Sequence, residues 1–217
     1  MTTDPVDAHV RALARALRGP RGLRRSMIAE TRDGLRDAAE AAGCPARAVR
    51  EFGTVAELAP HFQAELTAAQ ARRTALLLAV LFPALLLGWN LLWSHGVAWT
   101  GSGPPPPLVT ALSGVQDVAS AVVGVLAVGL LVATARRGPD PRRLALGAGT
   151  VGLAGALVCG GTAVVMNVAN GPATLAMLAT QPLAGPSMLL SGLALLAVIV
   201  TTGRALRVAA HDPVRGH

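Results

Sequence analysis

The chain reads in two regimes. Up to Arg73, apolar and charged positions interleave with a helical period; beyond it, apolar runs dominate. In the first regime Val6, Val10, Leu13 and Leu17 step by four, three and four, one stripe of a helix that Gly19-Pro20 ends. Leu23, Met27, Ile28, Leu35, Ala38, Ala39 and Ala42 stripe a second helix, closed by Gly43 and Pro45. Val49 and Phe52 mark a short third one that stops at Gly53. Thr54-Val-Ala-Glu57 has the form of a capping box, and Val55, Leu58, Phe62, Leu66 and Ala69 follow at helical spacing. After Pro60 no breaker occurs before Pro83, so this last helix is expected to enter the next apolar run as one rod, kinked near Pro60. The bundle so formed is expected to bury Leu13, Leu17, Met27, Leu35, Val49, Phe52, Leu58 and Phe62.

In the second regime four runs are long enough for bilayer-spanning helices, which need about 20 apolar residues. They cover about 74–93, 108–135, 144–168 and 186–203. The stretch Asn170–Gly185 is apolar too, but Gly171, Pro172, Pro182 and Gly185 interrupt it. It reads as an interfacial or re-entrant connection.

Charge settles the expected orientation. Arg72 and Arg73 precede the first span, Arg136, Arg137, Arg142 and Arg143 fill the loop after the second, and Arg204, Arg207 and Arg215 follow the fourth. The two remaining connections hold no Arg. The positive-inside rule then places both termini in the cytoplasm of a multi-pass protein. Arg in place of Lys throughout, with high Ala, Gly and Pro, suggests a GC-rich bacterial genome, so the expected membrane is the bacterial inner one. Trp89, Trp93 and Trp99 gather at the expected outer end of span one, where an aromatic belt belongs. The expected fold is all-α: a small cytoplasmic helical domain (1–72), a four-helix transmembrane bundle (73–204) and a cytoplasmic tail (205–217).

Composition narrows the chemistry. All 19 basic residues are Arg, which removes P-loop phosphate binding and Schiff-base catalysis, since both need Lys. Cys44 and Cys159 stand alone, without disulfide or zinc spacing. Met1–Glu30 is charged and lacks a long apolar core, so no cleavable signal peptide is expected. No Ser/His/Asp, paired-carboxylate or metal-ligand spacing stands out; neither enzyme activity nor a cofactor is expected.

Several stretches between Leu17 and Arg73 carry a resemblance: Leu17-Arg-Gly-Pro-Arg, Glu30-Thr-Arg-Asp, Ala48-Val-Arg-Glu-Phe-Gly, Ala56-Glu-Leu-Ala-Pro and Gln63-Ala-Glu-Leu-Thr-Ala-Ala-Gln-Ala-Arg-Arg. Together they resemble the actinobacterial permease prefix domain, which is similar to the helical HAAS-type signalling domain found ahead of membrane helices. The resemblance covers about the first third of the chain; in the spans it extends only to layout and to Pro104–Pro107 before span two. This chain departs from the fuller form at Gly43-Cys44-Pro45, where the connection is short, and has fewer acidic residues before Val49. The resemblance implies a regulatory membrane protein whose cytoplasmic domain binds a PadR-like transcriptional regulator. The alternative reading is a small permease, or the accessory membrane subunit of a transporter.

Two groups are candidate sites. Arg24, Arg25, Arg32 and Arg36 interleave with Glu30, Asp33 and Asp37 on the second helix. They form a candidate partner face, or else a solvated face carrying an Arg36–Glu40 pair. Inside the spans Asp117 is the one ionisable residue; with Gln116 and Asn90 it forms a candidate polar site, to which His95, Asn167 and Asn170 could add. The competing reading puts Asp117 under the headgroups and gives the asparagines interhelical bonds. Arg18, Arg21, Arg24 and Arg25 cluster most densely and suit anionic lipid or an acidic surface. With 12 Arg against 9 acidic residues before Thr74 and no aromatic platform, direct nucleic-acid binding is not expected. A row of small residues, Ala148, Gly152, Ala156 and Gly160, with Ser120 and Gly124, predicts close helix packing inside the bundle or between two copies. Cys159 beside it reads as a packing residue.

Overall fold

A computed structural model describes residues 4–95, 103–136 and 140–211. Among them every regular element is a helix: α1 (Pro5–Ala16), α2 (Arg21–Ala42), α3 (Pro45–Phe52), α4 (Val55–His95), α5 (Pro107–Ala135), α6 (Pro141–Ala169), α7 (Gly171–Thr180) and α8 (Ala184–Ala210). Four of them, α4, α5, α6 and α8, are long and apolar enough to cross a membrane, and each contains one expected span.

The helix starts follow from local chemistry. The Asp4 carboxylate accepts the Val6 N–H ahead of Pro5, and Asp140 accepts that of Arg142 ahead of Pro141. Proline there loses nothing, because a first-turn N–H has no partner within the helix. α2 ends at Gly43, whose φ of 65° lies in the left-handed region. The capping box forms: the Thr54 N–H donates to Glu57 Oε2 at 2.7 Å, and the Glu57 N–H donates to Thr54 Oγ1 at 3.3 Å. The Thr54 backbone bond, with its hydroxyl second, holds the Glu57 carboxyl below the usual range. α4 then runs unbroken through Pro60 and Pro83 for 41 residues, about 60 Å long.

α1 and α2 pack on the first part of α4. Leu13, Ala16, Leu17, Met27, Ala59 and Leu66 form one buried cluster; Val6, Val10 and Leu35 form a second, with Val49 of α3 half-buried against it. Phe52 departs from expectation: it is 36% exposed. It ends α3 one turn beyond Ala48, the residue that short helix buries, where the bundle no longer covers it.

The long helices share a middle layer of Leu78, Phe82, Val123, Ala127, Ala156 and Val198. Ala71, Ala145 and Ala209 close one end; toward the other, the Trp89 indole N–H donates to Ser191 Oγ at 3.0 Å. The helices therefore alternate in direction. Arg72, Arg73, Arg136, Arg142, Arg143, Arg204 and Arg207 all fall at the end that carries α1–α3, with Trp89 and Trp93 near the opposite one. Arg137, Arg215 and Trp99, which belong to the same sequence pattern, lie outside the described residues.

α6 is the packing centre, and its small residues explain why. A Cβ on Gly152 would run into Thr202 Cγ2, and one on Gly155 would stand 2.8 Å from both Phe82 and Val123. At Gly160 it would meet Leu195 at 2.8 Å. Glycine lets the neighbouring helices close in and so maximises van der Waals contact. Outward, Leu76, Val80, Val125, Val168 and Leu189 are exposed, an apolar surface suited to lipid rather than water. In the connection 170–185 the glycine and proline do not prevent a helix, since Pro172 falls in the first turn of α7. Its 10 residues reach about 15 Å, half the hydrocarbon thickness.

Candidate functional site

The amino-terminal helices meet the bundle along one face of α4. Gln63, Thr67, Gln70 and Thr74 step by four, three and four, and all are buried. Each of the four takes part in hydrogen bonds along the seam they form. Gln63 Oε1 accepts the Arg18 N–H at 2.9 Å while its amide donates to the Arg18 carbonyl at 2.9 Å. Thr67 and Thr74 return their hydroxyl protons to the carbonyls of Gln63 and Gln70. The Gln70 amide reaches the Thr201 carbonyl of α8 at 3.4 Å. One helix face thus ties the α1–α2 turn above and α8 below. A buried amide deprived of such partners costs about 1–3 kcal/mol, so the seam fixes register as well as contact.

The α1–α2 turn is shaped to fit. A Cβ on Gly19 would lie 2.8 Å from Leu66 Cβ, so only glycine lets the turn sit this close. The final carbonyls of α1 are taken by basic side chains: Arg15 and Leu17 by Arg18, Leu17 also by Arg24. The His211 ring, just beyond α8, bonds the Ala16 carbonyl at 2.8 Å, and the acceptor character of that oxygen requires a proton on Nε2. Positive groups at a helix C-terminus also complement its dipole.

The candidate partner face on α2 is divided. Arg32 and Arg36 turn toward α1, where Asp7 lies 3.5 and 3.9 Å away. The Arg36–Glu40 pair is therefore replaced by one to α1, because Asp7 offers a carboxylate that two arginines share. Arg24 is bound to the α1–α2 turn and Arg25 to the Arg21 carbonyl. Glu30, Asp33 and Asp37 remain exposed.

The intramembrane residues are likewise not brought together. Gln116 accepts from Thr162 of α6 at 3.3 Å. Asp117 is exposed on the outside of the bundle, and Asn90 donates to Leu86 of its own helix. Among the described residues no hydrogen bond joins any two of the three. Asn167 and Asn170 also bond locally, to Ala163 and Met166. The His95 side chain lies outside the described residues. Ser120 and Cys159 meet at 3.6 Å between α5 and α6, which places Cys159 in packing. No group of three His, Cys, Asp or Glu among the described residues could hold a metal.

The seam had a readable signal. Gln63-x-x-x-Thr67 and Gln70-x-x-x-Thr74 repeat at seven residues, an amide and hydroxyl pair on one face, which Leu78 and Phe82 extend at steps of four. Comparison with protein-family models, curated proteins and solved structures finds no match to this chain.

Proposed function

We propose that the chain is a regulatory protein of the bacterial inner membrane, its α1–α3 region a cytoplasmic domain that binds a partner protein. By the resemblance of Leu17–Arg73, that partner is a PadR-like transcriptional regulator. The observation that carries the reading is the Gln63 clamp. It fixes the α1–α2 turn to a helix that runs without a break into the first span, so that a shift of the span moves the surface offered to the partner. The positive-inside rule supports the orientation, because the basic end of the bundle is the end bearing α1–α3.

Capture tests it. The full-length chain, cross-linked in its native membrane and purified, is expected to bring down a winged-helix DNA-binding regulator. Gln63→Leu, which frees the turn from the rod, is expected to leave capture intact but remove its response to membrane perturbation. Recovery of an ATPase subunit instead would favour the transporter alternative, and recovery of neither would end the regulatory reading.

A further inference from the structure

α2, α3 and α4 leave an open groove between them of about 400 Å³. Met27 and Thr31 form its floor, with Leu23, Phe52 and Phe62 on its walls and Glu30 and Glu65 at its rim. Thr31 returns its hydroxyl to the Met27 carbonyl, so the floor offers no free donor. Two of the chain's three phenylalanines line this one surface. Among the described residues, the charged side chains lining it are carboxylates, in a chain of net charge +7. Both are exposed, and among the described residues neither makes an ion pair or a hydrogen bond.

We infer that this groove is the docking site of the partner, and that it takes an amphipathic helix with an apolar stripe flanked by Arg or Lys. The inference rests on the proposed regulatory reading and moves its binding surface away from the α2 arginines, two of which are occupied by Asp7. A helix laid along the groove would press its apolar side chains against Phe52, Phe62, Leu23 and Met27. Its basic flanks would then meet Glu30 on one side and Glu65 on the other. The apolar contact gives affinity, and the two carboxylates select the sign of the partner's charge. An acidic helix would place like charges together, and an uncharged one would forgo both pairs.

The test uses the full chain in nanodiscs of phosphatidylcholine, which carries no net charge. The probes are three labelled helical peptides with one Leu/Phe stripe and a polar face of Arg, Gln or Glu, read by fluorescence anisotropy. The Arg peptide is expected to bind saturably and about fivefold more tightly than the Gln peptide, the scale of two exposed ion pairs. Glu30→Arg with Glu65→Arg is expected to reverse the preference toward the Glu peptide. Phe52→Ala, at a half-open position, is expected to weaken every peptide. Absence of saturable binding, or a preference unchanged by the double reversal, overturns the groove. Native-membrane capture of the regulator by the double-reversal variant separates the two readings. Undiminished capture with no peptide preference removes the groove and keeps the regulatory role; loss of the regulator from the unaltered chain as well removes both.

Discussion

At the scale of single residues, the junction depends on what Gly19 lacks and on what Gln63 reads. Gln63 meets Arg18 through the backbone alone, so Arg18→Ala should leave the clamp in place. Gly19→Ala should not, because its Cβ meets that of Leu66 at 2.8 Å and both backbones are held. Overpacking of this kind costs about 1–3 kcal/mol, so the thermal midpoint of the full chain in detergent should fall further for Gly19→Ala than for Arg18→Ala, which loses only the guanidinium bonds to the Arg15 and Leu17 carbonyls. Equal midpoints would mean that the turn moves aside freely. His9 is the second residue with a consequence. Burial lowers its pKa, and among the described residues its buried Nε2 has no hydrogen-bond partner. The folded state therefore favours neutral imidazole, and the unfolded chain binds the proton more readily. This contribution is complete above the unfolded value of about 6.5 and is lost as pH falls through the lowered folded value. Urea titrations across that range should show stability declining with acid, and His9→Asn should flatten the decline. An identical slope in the variant would assign the acid sensitivity to other groups.

At the scale of elements, α6 is the helix around which the others close. Gly152→Leu puts a side chain where even a Cβ overlaps Thr202, whereas Gly161→Leu points into open space. The first should loosen α6 from α8 and expose the bundle to protease at lower temperature; the second should behave as the unaltered chain. Equal sensitivity of the two would show that α6 does not pack through its glycine face. The elements themselves were largely legible: apolar period, Arg flanks and the Thr54–Glu57 box locate the helix starts and the four spans. The failures share a cause. Phe52 and the Arg36 pairing depend on which helix lies alongside, and helical period does not carry that information. α7 was hidden because a proline reads as a breaker until its position in the first turn is known. The Gln63 and Gln70 bonds join residues 45 and 131 positions apart; the heptad marked the donors but not their partners.

At the scale of the whole molecule, the described arginine groups share one end, and α4 carries that end's helices on a rod of about 60 Å. With Cys44 and Cys159 replaced, Gly103→Cys should react with an impermeant thiol reagent on intact cells and Gly138→Cys only after lysis. The reverse pattern would turn the proposed orientation over. The bond between His211 and the Ala16 carbonyl adds a different dimension, because 195 positions separate the two. The ribosome makes α1 well before α8. α1–α3 can gather on the first turns of α4 while the later spans are still being made. The Ala16 carbonyl nevertheless waits for its imidazole until α8 is in place. An early helix is thus completed by a late one, and that bond forms only after the spans between them have been made.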